Sequence, residues 1–129
     1  MRHHVGESRV GRLATVTASG RPHIVPCCYA LVGDVIYSAV DGKPKSTLAL
    51  RRLDNIRAHP YASLVVDHYT DDWAQLWWVR VDAAARVLDS GAERDRALDA
   101  LAAKYAQYAE TRPPGAVIAL DITRWTSWP

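Results

Sequence analysis

The sequence predicts a mainly β protein, a six-stranded antiparallel barrel with two short helices. Three observations support this prediction: apolar runs of strand length recur along the chain, turn residues join most of them at hairpin spacing, and only two stretches have helical spacing. Consecutive hairpins imply an antiparallel sheet. A sheet with this many strands and few helices usually closes into a barrel, because closure removes exposed edges.

The first forty residues carry three of the predicted strands. We predict them over residues 11–18, 22–31 and 35–40. Turn signals separate them at Ser19-Gly20 and Gly33-Asp34. Pro26 lies inside the second strand, which implies an edge, a bulge or a place where the ladder opens. The residues before the first strand, to about residue 7, are expected to be mobile.

The rest of the chain carries both helices and three more strands. The helices are predicted over residues 46–58 and 93–105, because apolar side chains recur there along one face. The strands are predicted over residues 62–69 and 75–88 and around Ile118, Leu120 and Ile122, where apolar residues alternate with polar or small ones. The long strand is expected to bend near residues 83–85.

Composition limits the classes of protein to consider. At 129 residues, the chain is expected to form a single domain, residues 1–129. The formal charge of +2 gives no reason to expect nucleic acid or an anionic membrane as a partner. No apolar run approaches the ~20 residues of a membrane span. The adjacent Cys27 and Cys28 predict reduced thiols and a cytoplasmic protein; they either fill space in the core or form a reactive pair.

Lysine is scarce, with three residues against thirteen arginines, yet two lysines lie within three positions at the predicted start of the first helix. These are Lys43 and Lys45, followed by Ser46 and Thr47. Ammonium groups, hydroxyls and free backbone N–H groups at a helix N-terminus suit a phosphate. The alternative is a solvated basic loop in which Ser46 or Thr47 caps the helix.

A set of short motifs, in the same order as these elements, resembles the split β-barrel flavin- and deazaflavin-binding family. That family includes pyridoxamine-phosphate-oxidase-like proteins and the F420-dependent oxidoreductases of actinobacteria. The motifs are GRLATV at 11–16, GRPHIVP at 20–26, IYSAVD at 36–41, KPKST at 43–47, Asn55-Ile56 and His59-Pro60. VDHY at 66–69, LWWVR at 76–80 and ITRW at 122–125 resemble the F420 branch in particular. The arginine-rich composition also fits a GC-rich genome, as in actinobacteria.

The resemblance implies an FMN-binding-protein-like split barrel, with F420, or alternatively FMN, in a groove of a homodimer. It implies that the phosphate lies by Lys43, Lys45, Ser46 and Thr47, with Arg52 and Asn55 as further candidates. Whether Lys45 or Arg52 is the main phosphate ligand stays open. The ring would lie against Val25, Pro26 and Cys27, and Tyr37 and Ser38 would line the ring or the ribityl chain.

Adjacent tryptophans in a strand point to opposite faces, so Trp77 and Trp78 are expected to differ in role. One would fill the barrel, and the resemblance suggests that the other covers the ring across the interface. His68 is either a proton donor beside the pocket or a structural histidine. We predict no catalytic side chain and no metal ligand, because hydride chemistry resides in the cofactor and the Cys, His and Asp spacings match no zinc site.

The predicted function is therefore hydride transfer between F420 and a small electron-poor organic substrate. Two alternatives stay open: an FMN-binding enzyme of pyridoxamine-phosphate-oxidase type, and a cofactor- or haem-binding protein without turnover.

Overall fold

The described residues form seven strands and four α-helices. The computed structural model describes the backbone of residues 1–40 and 47–129 and the side chains of residues 1–40 and 51–129. In chain order the elements are α1 (Arg2–Glu7), β1 (Gly11–Val16), β2 (Pro22–Cys27), β3 (Ala30–Val32), β4 (Val35–Ala39), α2 (Thr47–Ala58), β5 (Tyr61–His68), a 3₁₀ turn (Trp73–Gln75), β6 (Trp77–Leu88), α3 (Ala92–Lys104), α4 (Ala106–Glu110) and β7 (Val117–Trp128).

The seven strands form one antiparallel sheet in the order β2-β1-β5-β6-β7-β4-β3. Its two edges, β2 and β3, are consecutive in the chain and are joined only by Cys28 and Tyr29. A connection of two residues spans roughly 10 Å at most. The sheet must therefore curl until β2 and β3 lie close together. No ladder joins β2 to β3 among the described residues. The result is a split barrel, which confirms the predicted fold class.

Two apolar clusters hold the barrel together. The inner cluster fills the barrel with side chains such as Leu13, Leu64 and Val81, and α2 contributes Leu53 and Ile56 to it. The outer cluster lies between α3 and the strands β3, β4 and β7; its members are Ala30, Tyr37, Ala39, Ala97, Leu98, Leu101, Tyr105, Val117 and Ala119. The sheet therefore has a helix layer against β3, β4 and β7.

The other outward-facing surface, which we call the open face, belongs to β2, β1, β5, β6 and the end of β7. One cross-strand row on it contains Pro26, Arg12, Val65, Arg80 and Thr126. These side chains are exposed or half-buried, and the described helices pack elsewhere. The open face is thus a sheet surface that the described part of one chain leaves uncovered.

The structure changes the predicted elements in four places, one of which is the additional helix α4. The single strand predicted over 22–31 is two strands, β2 and β3, so the sheet has seven strands instead of six. Pro26 remains in register opposite Arg12, because β2 is an edge strand and its outer side needs no N–H donor. The pairing of β6 with β7 shifts by one residue between Asp82 and Ala83, because Thr123 of β7 forms a bulge there. This irregularity lies just before the bend predicted over residues 83–85.

The third change concerns the first residues, which were expected to be mobile but form α1. The side chain of Val5 is fully buried, and its carbonyl accepts a hydrogen bond from the Tyr29 hydroxyl. Arg2 pairs with Asp34 and lies 5.0 Å from the Trp125 ring centre. These contacts hold α1 against the barrel. No helix in the described parts of the chain is long and apolar enough to cross a membrane.

Candidate functional site

A cavity of about 300 Å³, which we call the split pocket, lies where the two sheet edges approach. It is lined by Val10, Pro26, Cys27, Cys28, Ala39, Arg52 and Tyr108. Three of these residues, Pro26, Cys27 and Arg52, are among the residues predicted to bind the cofactor. The structure therefore brings the predicted ring-binding strand and one predicted phosphate ligand into one cavity.

Successive residues of β2 point to opposite faces of the sheet beside the split pocket. Pro26 lies on the open face, whereas Cys27, opposite Gly11, is buried in the inner cluster. A Cβ atom at position 11 would lie 2.9 Å from the Leu64 Cδ2 atom, so any residue larger than glycine would require the buried Leu64 side chain to shift. Burial raises the pKa of the Cys27 thiol, which keeps it protonated and unreactive. Val25 also packs against the inner cluster.

Arg52 supplies the positive charge of the split pocket. It is half-buried on α2, and its buried Nε atom has no hydrogen-bond partner among the residues that the structure describes. A buried guanidinium donor normally has an acceptor, because an unpaired buried donor carries a desolvation penalty. The donor set therefore fits an anionic group, such as a phosphate, bound in this cavity.

Asn55, one turn further along α2, has a different role. Its side chain is 3% exposed, and its Nδ2 atom donates to Thr15 Oγ1 at 3.1 Å. This bond fastens α2 to β1 inside the barrel. The contact favours a structural role for Asn55 over a direct contact with a ligand.

The basic motif at the start of α2 is only partly described. Lys43, Lys45 and Ser46 lie outside the described residues, and Thr47 is described only as the first residue of α2. Their assignment to the phosphate stays a prediction, and so does the choice between Lys45 and Arg52 as the main ligand.

Tyr37 and Ser38 point to opposite sides of β4. The Tyr37 hydroxyl donates to Glu93 Oε2 at 2.8 Å, and its ring packs in the outer cluster under α3. Ser38 is 1% exposed, and its Oγ atom donates to the Cys28 carbonyl at 2.9 Å. Ser38 therefore supports the wall of the split pocket, whereas the contacts of Tyr37 bind it to α3. The assignment of either residue to the ring or the ribityl chain stays a prediction.

A second cavity of about 490 Å³, which we call the aromatic pocket, lies at the end of the β5–β6 hairpin. It is lined by Val65, Asp67, His68, Tyr69, Leu76, Trp77, Trp78 and Trp128. Asp67, Trp78 and Trp128 are cross-strand neighbours in one row. The Asp67 carboxylate is held by Arg12, with an Oδ1–Nη1 distance of 3.0 Å.

The two adjacent tryptophans differ as their strand position predicts. Trp77 packs against the inner cluster, and its ring stacks on His4 of α1 at a centroid distance of 3.7 Å. His68, opposite Trp77 in the ladder, lies 6.0 Å from the same ring. Trp78 points the other way, onto the open face. Of the two, Trp78 is thus the one placed to contact another molecule.

Sequence reasoning assigned no role to Lys104, which lies near both cysteines. Its Nζ atom is buried 4.1 Å from the Tyr29 ring centre, and no hydrogen-bond partner for it lies in the described part of the chain. Burial, and to a lesser degree the charge of Arg9, lowers the pKa of the ammonium group to about 8. The scarcity of lysine was the available signal, but nothing in the sequence places the end of α3 beside Tyr29.

Metal chemistry has no candidate site in the described residues. No group of three or more His, Cys, Asp or Glu side chains there could hold an ion. The described parts of the site thus consist of a cationic cavity beside an edge strand and an aromatic cavity on the same sheet.

A curled antiparallel sheet with a cavity at its split defines the class of split β-barrel proteins. A family model described as Pyridoxamine 5'-phosphate oxidase matches residues 1–129, and the chain belongs to this family. The family resemblance stated from the motifs is thereby confirmed at the level of this class. No curated protein matches the sequence.

Solved structures share the fold at low sequence identity. A conserved hypothetical protein, Rv2991 from Mycobacterium tuberculosis, superimposes with a TM-score of 0.79 at 20% identity, over 98% of this chain and 80% of that one. A heme binding protein from Mycobacterium smegmatis gives 0.73 at 25% identity, over 98% of this chain and 51% of that one, so this chain spans about half its length. A FAD-binding protein from Mesorhizobium loti gives 0.65 at 21% identity, over 98% and 89%.

Proposed function

We propose that this protein is an F420-dependent oxidoreductase that binds the cofactor through the split pocket. The observation that carries the proposal is the Arg52 guanidinium, which lines the split pocket and whose buried Nε atom has no acceptor among the described residues. A guanidinium binds phosphate oxygens through paired, charge-assisted hydrogen bonds. Membership in the pyridoxamine phosphate oxidase family and the motifs of the F420 branch support the same conclusion.

The residues present fit such a cofactor. Arg52 would hold the phosphate, together with the predicted ligands Lys43, Lys45, Ser46 and Thr47. Pro26 offers an apolar surface against which a flat ring can lie, and the outer edge of β2 leaves backbone groups unpaired with the sheet. The positive charge of Arg52 and the apolar surface of Pro26 therefore line the same cavity.

When bound in its reduced form, F420 supplies a hydride. The chain's part is to bind, to orient and to exclude water. Val10 and Pro26 contribute apolar walls, and the Ser38–Cys28 hydrogen bond fixes the backbone behind them. His68 lines the aromatic pocket and offers an imidazole N–H as a hydrogen-bond donor. The acceptor would be a small electron-poor organic molecule.

We further propose that two copies pair through the open face. Ile24 is 66% exposed, Tyr61 is 69% exposed and Trp128 is 49% exposed, although all three lie on this sheet. Exposed apolar side chains that share one surface usually mark an interface. In a two-fold pair, Trp78 of one copy would approach the split pocket of the other.

Reduction of an acceptor by reduced F420 tests the function. With F420 deuterated at C5, we expect the deuterium to pass to one face of an enone or quinone acceptor, and the reduced complex to persist in air. No turnover with reduced F420, together with rapid peroxide formation by an FMN complex, would assign the chain to the FMN alternative. The FAD-binding neighbour from Mesorhizobium loti keeps this alternative open.

Haem binding is a second candidate, favoured by one observation. His68 lines the large aromatic pocket, and a histidine beside an apolar cavity can ligate haem iron. The neighbour from Mycobacterium smegmatis is itself described as heme binding. Titration with hemin tests this candidate: a Soret band that is lost in His68→Ala would support it, and an unchanged hemin spectrum would exclude it.

A further inference from the structure

Four side chains form a compact group on the open face, where β6 begins and β7 ends. Trp78 and Trp128 are paired directly across the ladder, and so are Arg80 and Thr126. Paired residues lie about 5 Å apart, and residues two positions apart along a strand lie about 6.6 Å apart on the same face. Two indole rings therefore stand beside a guanidinium and a hydroxyl group. We call these four residues the Trp–Arg square.

The polar half of the square lacks hydrogen-bond partners. Arg80 Nε and Thr126 Oγ1 are buried, and neither has a hydrogen-bond partner among the described residues. Arg80 Nε lies 3.4 Å from Asp82 Oδ1, but this ion pair does not have the geometry of a hydrogen bond. The Arg80 side chain as a whole is 42% exposed, so a ligand can reach it. A guanidinium and a hydroxyl with unused donors fit an oxyanion.

The charges around the square favour an anion. The three cross-strand rows that contain and flank Arg80 hold three arginines and two aspartates among the described residues: Arg12, Arg80, Arg124, Asp67 and Asp82. Both carboxylates already have a donor, since Arg12 holds Asp67 at 3.0 Å and Ser63 holds Asp82 at 2.6 Å. An anion beside Arg80 therefore gains a cation and meets carboxylates whose charge is already compensated.

The apolar half of the square is a surface for a flat ring. Trp78 and Trp128 line the aromatic pocket together with Val65, which is paired with Arg80 on the neighbouring strand. Trp128 is 49% exposed, so its ring is available to another molecule. Indole rings on paired strands can stack on a planar ligand with little loss of side-chain freedom. Ring surface and anion site are thus close enough for one small molecule to use both.

We propose that the Trp–Arg square binds a flat ring that carries a carboxylate, with the ring against Trp78 and Trp128 and the carboxylate on Arg80 and Thr126. Binding itself needs neither the cofactor nor a second copy. Under the proposed function, on which this part alone rests, the electron-poor substrate is a planar carboxylic acid. In the proposed two-fold pair, that acid lies between the copies, where Trp78 approaches the split pocket of the partner.

Calorimetric titration of the cofactor-free protein with two matched probes tests the proposal. The probes are 4-nitrobenzoate and 4-nitrobenzamide, which have the same flat ring and nearly the same shape but differ in charge. We expect the carboxylate probe to bind more tightly by about tenfold or more, because only this probe gains charge-assisted hydrogen bonds from Arg80. Equal affinities, or tighter binding of the amide, would overturn the proposal without recourse to any variant.

Variants of the square locate the probe. Arg80→Gln should weaken 4-nitrobenzoate binding by about tenfold or more, and Thr126→Val by about two- to tenfold, the range for one hydrogen bond. Neither should change the affinity for 4-nitrobenzamide, whereas Trp78→Leu should weaken both probes. Arg57→Gln is the control for the loss of one positive charge, because Arg57 is 54% exposed on α2. Unchanged 4-nitrobenzoate affinity in Arg80→Gln, shown by a thermal melt to be folded, would contradict the site.

Arg52→Ala separates the square from the split pocket, which is the other cationic site. We expect this variant to bind 4-nitrobenzoate as the unchanged protein does. Loss of binding in folded Arg52→Ala, with binding retained in folded Arg80→Gln, would assign the carboxylate to the split pocket and overturn the proposal.

The outcomes also separate this inference from the proposed function. Probe binding with the expected charge preference, but no F420 binding, would remove the function and leave the square as a binding site. F420 binding without any preference between the probes would remove the site and leave the function.

Discussion

Arg86 and Glu93 form a two-point ion pair, with Nη1–Oε1 and Nη2–Oε2 distances of 2.8 and 2.9 Å. The same guanidinium binds Asp121 of β7 through Nε and Nη2, and Glu93 also accepts from the Tyr37 hydroxyl. One residue at the start of α3 is thereby connected to β4, β6 and β7. This network fixes the position of the helix layer on the sheet.

We expect Glu93→Gln to destabilise the fold by about 1–3 kcal/mol at pH 7, because it removes hydrogen bonds to a charged acceptor. Hydrogen bonds from Arg86 and then Tyr37 lower the pKa of Glu93 from 4.5 to about 2. Since the folded pKa is the lower one, this stability is present above pH 4.5 and disappears as pH falls toward 2. Urea unfolding from pH 7 to pH 2.5 measures it, with the exposed Glu110→Gln as control. A difference that persists at pH 2.5 would argue against the ion pair as its source.

Lys104 should make the free energy of unfolding depend on pH in the alkaline range. Its pKa is lowered by burial from 10.5 to about 8 in the folded protein. Between these values the unfolded chain binds more protons, so stability rises with pH. From pH 7 to 9.5 we expect the unchanged protein to gain about 1 kcal/mol relative to Lys104→Met, after allowance for partial solvent exposure. Parallel pH profiles for the two proteins would refute the buried ammonium.

Tyr105 joins the two sheet edges to the N-terminal segment. Its hydroxyl accepts from the Tyr29 N–H at 3.1 Å and lies 2.9 Å from the Arg9 carbonyl. In Tyr105→Phe the buried Tyr29 N–H loses its acceptor, which costs about 1–3 kcal/mol. Chemical denaturation should show this loss, whereas Tyr61→Phe, at a site 69% exposed, should be neutral. A Tyr105→Phe protein as stable as the unchanged one would show that water replaces the hydroxyl.

The proposed pairing of two chains can be disrupted from the open face. Ile24→Arg places a charge on this face, so we expect sedimentation velocity at micromolar concentration to change from dimer to monomer. Val32→Arg is the control, since Val32 is 48% exposed on the opposite edge strand and should leave the dimer intact. A monomeric unchanged protein would contradict the pairing.

The elements that were predicted best are those with a regular pattern of apolar residues. Alternation located β5, β6 and β7, and the motif order predicted the split barrel. The division between β2 and β3 was missed because Cys28 and Tyr29 leave the ladder without any turn residue to mark the place. The short helix α1 was missed because six residues are too few to show a period.

The site was predictable only in part, for a related reason. The family resemblance gave Arg52 as a candidate phosphate ligand, and the structure places it in the split pocket. Tyr37 and Ser38 were both assigned to the cofactor, although adjacent strand residues face opposite sides. The contact of Tyr37 with Glu93 depends on how α3 packs, and no local pattern in the sequence encodes that packing.

Cofactor affinity at Arg52 tests the central claim most directly. The cofactor-free protein and its Arg52→Ala variant are titrated with F420 and with FMN, side by side. Arg57→Ala is the control, because Arg57 lies on the same helix, is exposed, and approaches Asp54 only at 3.9 Å. We predict that F420 binds the unchanged protein and the control equally, and that Arg52→Ala weakens binding about 10- to 100-fold, the effect of losing a charged hydrogen-bonded contact. Unchanged affinity in a folded Arg52→Ala protein, or no binding of either cofactor to the unchanged protein, would contradict the claim.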